Sequence, residues 1–308
     1  MSKRQATEQT DATASDAFRA GHVAIGGGPN VGKSTLLNNM IGQRISITSR
    51  KPQTTRHRVC GIVTQPHAQI AFVDTPGFQS GPTNTLGSVM NRTVTRTLGE
   101  VDAVVFVVVA GRFTPEDERV ASLLPKDVPL IVAVNKVDQL QDKPALLPYL
   151  SDLQSRLSPR AIVPVSAQRG YQVKRLMREI EAALPEQPAL YPVDQLTDRD
   201  ERFFASEFIR EKLFRLLGDE LPYAAAVMID SFEQLPRLRR IHATIFVDKS
   251  SHKAIVVGEK GERLKTVATG ARKDMEALYG SKVFLQVWVK VRRGWADDRT
   301  KLRQFGYE

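Results

Sequence analysis

Cysteine is almost absent from these 308 residues: Cys60 stands alone. That excludes an internal disulfide and a zinc site built on cysteines, and it makes a reducing compartment, the cytosol, the default expectation. Long apolar runs are absent too, since the longest, residues 101–110, is broken by Asp102 and falls short of the roughly 18 residues of a membrane span. Residues 1–20, rich in Thr, Ala, Gln, Ser and Asp, hold no apolar segment of the kind a secretion signal needs and read as a disordered tail. Acidic charge is scarce in one region: between residues 237 and 308, seventeen Lys or Arg face eight Asp or Glu, which is +9 of the net +10. Such polarisation points to an anionic partner for the C-terminal half, nucleic acid first and an acidic membrane surface second. The length suits two domains, each with its own core.

What the sequence does carry is phosphate chemistry. Gly27-Gly28-Pro29-Asn30-Val31-Gly32-Lys33-Ser34 fits G-x-x-x-x-G-K-[ST] and joins a short apolar run, Val23-Ala24-Ile25, to a helical pattern that begins at Thr35. In that context backbone amides cradle the α- and β-phosphates of a nucleotide, Lys33 reaches the β- and γ-oxygens, and the Ser34 hydroxyl ligates Mg²⁺. From residue 22 onward, strand-like runs (22–26, 58–64, 69–74, 103–109, 130–135, 161–165) alternate with helical segments (114–124, with Pro115 as its first residue; 144–157; 171–184). Continuous apolar runs such as Val104-Val105-Phe106-Val107-Val108-Val109 suit strands covered on both faces, so the expected fold class is α/β, a doubly wound and mostly parallel sheet.

In such a sheet the functional residues belong at the carboxyl ends of the strands. Asp74-Thr75-Pro76-Gly77, followed by Phe78, ends the third run and offers a carboxylate for the Mg²⁺ shell and a glycine amide for the γ-phosphate. Asn135-Lys136-Val137-Asp138 ends the fifth. A carboxylate at Asp138 accepts from N1 and N2 of guanine, a donor pair adenine lacks, so GTP and GDP are the expected nucleotides. Ser166-Ala167 ends the sixth run and completes a base pocket.

Three prolines (Pro185, Pro188, Pro192) then mark a stiff linker, and a helix with Thr197 or Asp198 as its cap is expected to lead into residues 204–217. Strand-like runs follow at 224–229 and 239–247. Residues 255–265 place Gly258 and Gly261 between two helical segments. After them Leu264, Val267, Ala268, Ala271, Met275 and Leu278 share a helical face, and Val283, Leu285, Val287, Val289 and Val291 alternate along a strand. A G-x-x-G in that setting is the loop of a KH domain, where the backbone approaches the sugar-phosphate chain of single-stranded RNA. The residues expected to meet RNA are Gly258, Lys260, Gly261, Arg263 and Lys265.

The four nucleotide motifs, in this order and spacing, resemble those of the translation-factor-related GTPases. Ile47-Thr48-Ser49-Arg50-Lys51-Pro52-Gln53-Thr54-Thr55-Arg56-His57-Arg58 is similar to the first switch of the Era GTPases. The resemblance implies that a threonine of this loop completes the Mg²⁺ shell, Thr55 with Thr54 as the alternative, and that Lys33, Thr55 and Gly77 serve catalysis. Where Ras-like enzymes carry a water-orienting glutamine, this chain has Phe78, with Gln79 one position late, so slow intrinsic hydrolysis is expected.

The resemblance extends over residues 21–308, through Tyr191-Pro192, Phe208-Ile209-Arg210-Glu211-Lys212 and the closing Gly294-Trp295 to Gly306-Tyr307 stretch, to the bacterial Era GTPases with a C-terminal type II KH domain. It divides the chain into a GTP-binding domain (21–186), a linker (187–200) and a KH domain (201–308). It implies a monomeric GTPase that binds the 3′ end of 16S ribosomal RNA and assists its processing and 30S subunit assembly, with peripheral contact at the inner membrane. Gly28 stands where the family more often has a bulkier residue, and Glu259 puts an acid inside the G-x-x-G. Two other classes compete: a membrane-associated signalling GTPase whose basic half reads acidic lipid, and a P-loop small-molecule kinase, for which no acceptor motif is visible.

Overall fold

The computed structural model describes residues 17–49, 51, 54–78, 81, 84–218 and 221–307. The first unit is a six-stranded sheet in the order β2-β3-β1-β4-β5-β6, with β1 (Arg19–Gly26), β2 (Val59–Thr64), β3 (Ala68–Asp74), β4 (Ala103–Val109), β5 (Leu130–Asn135) and β6 (Ala161–Pro164). Every pairing is parallel except β2 with β3, so the expected mostly parallel sheet is present with one antiparallel edge. The β-branched run of β4 is buried along all but its last residue because helices cover both faces. On one face lie α1 (Lys33–Ile41) and α5 (Val173–Glu181), the latter burying Val173, Leu176, Met177 and Ile180 at helical spacing. On the other lie α2 (Thr85–Leu98), α3 (Pro115–Ser122) and α4 (Leu146–Leu157).

Four expectations shift. Arg19 and Ala20, placed in the tail from sequence, are the first residues of β1, where Arg19 pairs with Ala68; residues 1–16 lie outside the described ones. Helix α2 was not foreseen. The linker does not stand free: Leu190 and Tyr191 amides bind the Gln69 side chain, and Ile62 N donates to Leu196 O at 2.8 Å, so the segment is laid along the β2 edge. That use of the linker also moves the helix cap. Asp198 accepts from Cys60 N at 3.0 Å and Thr197 bridges Gly61, which leaves Asp200 to cap α6 (Glu201–Leu216) by accepting from Phe203 N at 2.8 Å.

The second unit has a three-stranded sheet, β7 (Ala225–Leu235), β8 (Leu238–Val247) and β9 (Lys282–Val291), with β7 antiparallel and β9 parallel to the central β8. Helices α6, α7 (Ser250–Val257) and α8 (Glu262–Tyr279) cover one face. A closing helix α9 (Arg299–Gln304) and Trp295 cover part of the other. Among the described residues no helix is long and apolar enough to cross a membrane.

Candidate nucleotide site and its contacts with the second domain

The loop between β1 and α1 needs glycine where the backbone turns left-handed against neighbours. A Cβ on Gly27 (φ +147°) would come 2.5 Å from Val107 O, and one on Gly32 (φ +104°) 2.3 Å from the Asn135 amide. Lys33 Nζ donates to Gly27 O at 3.0 Å and Gly28 O at 2.7 Å, which folds the side chain back onto the loop. Desolvation inside this loop pushes the Lys33 ammonium below its ordinary pKa, against the opposing pull of Asp74 and Asp117. A Cβ on Gly28 would lie 2.9 Å from Asp117 Oδ1, a buried oxygen that finds no hydrogen-bond partner among the described residues, so the carboxylate fills the space a bulkier residue would use. The same cleft is lined by Pro29, Asn30, Thr35, Thr48 and Gly77.

Three hydroxyls and one carboxylate converge beside it. Ser34 Oγ is 3.0 Å from Asp74 Oδ2 and 3.1 Å from Thr55 Oγ1, and Ser46 Oγ donates to the same carboxylate oxygen at 2.7 Å. Asp74 is fully buried and its Oδ1 has no hydrogen-bond partner among the described residues. Burial pushes its carboxyl above the ordinary range, while Ser46, Lys33, Ser34 and Thr55 pull the other way. A buried, half-satisfied carboxylate ringed by hydroxyl oxygens fits Mg²⁺, a hard cation that takes oxygen ligands. Ser34, Thr55 and Asp74 would hold or orient it, and the ion would neutralise charge on the terminal phosphates. Thr55 and not Thr54 faces this point, because Thr54 Oγ1 turns to Ser49 Oγ at 2.7 Å and Lys51 O at 2.9 Å. Ser46 was not foreseen. Asn38 fixes it by accepting from the Ile45 and Ser46 amides and donating to Ser46 O.

At the base end, Asn135 ties three segments together: its Nδ2 donates to Val31 O at 2.8 Å and its Oδ1 accepts from Ala167 N at 2.9 Å. Lys136, at φ +64°, donates from Nζ to Asn30 O at 2.7 Å. Val137 opens the 3-10 turn that presents Asp138, and Ser166, fully buried, accepts from Arg169 N at 3.2 Å. Arg169 is a residue that sequence reasoning missed. Its Nε lies 3.4 Å from Asp138 Oδ2, yet its side chain is 73 % exposed, so it can swing away when a base binds. Thr75 is buried beyond Asp74, with Pro76 following it in the turn to Gly77. A Cβ on Gly77 would meet nothing within 4 Å among the described residues. Phe78 packs against the apolar cluster of Val94, Leu98 and Phe106; Gln79 lies outside the described residues.

The loop carrying Thr55 is also gripped by the second domain. Thr54 O accepts from Arg210, and the Thr48 amide donates to Glu211 Oε1 at 3.0 Å; both partners lie on α6 and are buried. Arg56, 4 % exposed, donates to Ala225 O and Pro222 O at 3.0 Å and to Tyr223 O at 3.2 Å. His57 stacks on Tyr307 with centroids 4.5 Å apart, and Arg44 pairs with Glu211 and Asp274. Helix α2, which follows Gly77, is held as well, with Thr85 N donating to Asp297 Oδ1 at 3.1 Å and Leu86, Val89 and Met90 packed on Trp295 and Phe246.

The Gly258 loop runs through left-handed backbone. Gly258, Lys260 and Gly261 all have positive φ (71°, 49° and 83°), and a Cβ on Gly258 would come 2.7 Å from that of Arg263. Lys260 is exposed. Arg263 donates to Ile255 O at 2.7 Å and so holds the end of α7, and Lys265 lies exposed one helical turn from Glu262.

A Gly-rich loop, a hydroxyl and carboxylate cluster, an aspartate just past the end of β5 and a KH domain define a P-loop GTPase joined to an RNA-binding module. Family models agree: one described as a 50S ribosome-binding GTPase matches residues 22–136, and a KH-domain model matches residues 220–296. The chain is 50 % identical to GTPase Era of Nitrosomonas eutropha over 94 % of its own length and 98 % of that protein, and 52 % identical to GTPase Era of Neisseria meningitidis over 95 % and 96 %. The chain belongs to the Era GTPase family. Its fold superposes with a TM-score of 0.90 at 37 % identity, over 94 % of this chain and 99 % of the other, on an Aquifex aeolicus Era variant bound to GDP·AlF4⁻. An Era complex with MgGDPNP and nucleotides 1506–1542 of 16S ribosomal RNA matches with the same score, identity and coverage.

Proposed function

We propose that this chain is a GTP-governed binder of the 3′ end of 16S ribosomal RNA that assists processing of that RNA and assembly of the 30S subunit. It acts as a monomer in the cytoplasm, with peripheral contact at the cytoplasmic face of the inner membrane. One observation carries the reading. The loop that brings Thr55 to Ser34 and Asp74 is the same loop that α6 of the KH domain holds through Thr48 and Thr54. A γ-phosphate and Mg²⁺ that order Thr55 and Gly77 therefore favour one docked arrangement of the KH domain, and their loss on hydrolysis releases it. The RNA seen with a relative, nucleotides 1506–1542, supports the choice of ligand. The basic C-terminal half and the Gly258 loop supply the matching electrostatics and backbone.

The test compares affinity for a 16S 3′-end RNA in the presence of a non-hydrolysable GTP analogue and of GDP. Unequal affinities are expected; equal affinities sink the coupling, because a ligand with no differential affinity shifts nothing. With about four phosphate contacts, binding should weaken roughly fifty-fold between 50 and 200 mM salt. Flotation with anionic liposomes tests the membrane contact, and lipid binding that displaces RNA would transfer the basic half to a lipid role.

A further inference from the structure

Side chains of β9 alternate strictly. Val283, Leu285, Val287 and Val289 point into the core beneath α6, α7 and α8, which sends Lys282, Phe284, Gln286, Trp288 and Lys290 to the opposite face. Among the described residues the C-terminal segment covers one end of that face, where Trp295 and Phe305 lie over Phe246 and Ala226. The other end is open, with Phe284 48 % and Trp288 41 % exposed. Between them, on β8, stands His242, whose ring meets Phe284 at 6.1 Å and 76° and Trp288 at 5.6 Å and 74°. The imidazole is held from the neighbouring strand by Ser231 Oγ at 3.1 Å from Nδ1, and the Thr244 hydroxyl beside Trp288 donates to Asp230 at 2.7 Å. The three rings thus form a rigid, solvent-facing row.

The charges around the row select its occupant. Lys282 and Lys290 stand exposed at its two ends on the same strand face, and Arg240, next to Phe284, shares its charge with Glu233 at 3.2 Å. The core of a protein interface disfavours lysine and needs contiguous apolar area, whereas here the two exposed rings are separated by Gln286 and His242. Isolated rings flanked by cations suit single-stranded nucleic acid, whose bases stack on aromatic faces while its phosphates meet lysines. The location fits as well. β9 is an edge strand, and α7, which ends in the Gly258 loop, packs on it, so a strand of RNA leaving that loop can cross the β9 edge to the open face.

We propose that Phe284, His242 and Trp288 form a second RNA-binding surface, a stacking platform for single-stranded bases on the outer face of the KH sheet, separate from the Gly258 loop. It rests on the reading that the C-terminal domain binds RNA. The protein offers its own reporter, since of its two tryptophans Trp295 is 1 % exposed and Trp288 carries the solvent-facing emission. Titrating the full-length, GTP-analogue-bound protein with a single-stranded RNA of about 20 nucleotides should quench that emission in parallel with binding. The Trp288→Phe variant should bind while losing the quench. Phe284→Ala and Trp288→Ala should each weaken binding about tenfold, while Phe284→Leu, which keeps the apolar cover but not the aromatic face, should weaken binding with little change in thermal stability. Lys260→Glu should weaken binding at the loop yet leave quenching at saturation intact. RNA that saturates the wild-type protein without disturbing Trp288 emission overturns the platform and leaves the loop reading standing. Failure of single-stranded RNA to bind at all sinks the RNA reading itself. Full RNA affinity in the Phe284→Ala/Trp288→Ala double variant, with loss of binding to 30S particles, would assign the face to a protein and also overturn the proposal.

Discussion

Arg56→Ala is the sharpest perturbation of the link between the nucleotide and the KH domain. Its guanidinium is 4 % exposed and lies within hydrogen-bond reach of three backbone carbonyls of the other domain and, more loosely, of Tyr307 Oη at 3.4 Å. It also sits 5.5 Å from the Phe214 ring centre. Hydrogen bonds to charged groups contribute about 1.5–3 kcal/mol each, but burying the guanidinium costs part of that gain and the bonds are not additive. Deleting it also leaves three carbonyls without their donor. A net loss of about 3–5 kcal/mol in domain docking follows, a shift of roughly two to four powers of ten between docked and open forms. None of these polar contacts is internal to the GTP-binding domain, so that domain's own melting and its GDP affinity should hold. Hydrogen exchange at amides of residues 221–226 reads the docking directly, and RNA affinity with GTP analogue against GDP reads the coupling. Wild-type protection of those amides in the variant, or an unaltered nucleotide dependence of RNA binding, would refute the reasoning.

Burial pushes the His57 imidazole, its side chain 9 % exposed, down to about 4 from an ordinary 6.5, with Glu207 pulling up and Arg210, Arg199 and Arg56 pushing further down. Only the opened or unfolded state takes the proton between those values, so stability should decline as pH falls from about 6.5 to about 4 and level off below. The loss is about 3 kcal/mol at most, and His57→Phe, which keeps a ring against Tyr307, should flatten that part of a pH melting profile. Asp138→Asn replaces an acceptor by a group that also donates, so GTP affinity should drop by about a hundredfold or more while xanthosine triphosphate, with a carbonyl at C2, gains; unchanged GTP affinity would remove Asp138 from the base pocket. Intrinsic hydrolysis should be slow, on the order of 10⁻⁴ to 10⁻² s⁻¹, and Phe78→Gln should not raise it, because that side chain packs against the cluster around Val94 and Phe106. A fast single-turnover rate without any partner would contradict this.

Legibility in the sequence tracked how local the physics was. That Asp74 and Asn135 stand at strand ends beside the phosphate loop could be read because the strands announced themselves by apolar runs. Helix α2 escaped notice because Thr85-Leu86-Gly87 and a series of threonines lower its local helical preference; its order comes from Leu86, Val89 and Met90 packing against the C-terminal segment. β7 read as ending at residue 229 because a register shift between Ile229 and Ser231 breaks its alternation, although the strand runs on to Leu235.

By itself, then, the sequence determined the chemistry of the nucleotide site and the presence of a KH loop, since both depend on residue types at fixed short spacings. Tertiary structure alone decided between Thr54 and Thr55, adjacent residues of one kind whose side chains part toward Ser49 and toward Asp74. It alone joined Arg56 to Tyr307 and Arg210 to Thr54, pairs 251 and 156 residues apart. No pattern along the chain encodes such meetings, because they arise only when the two domains pack on each other and bury the charges between them.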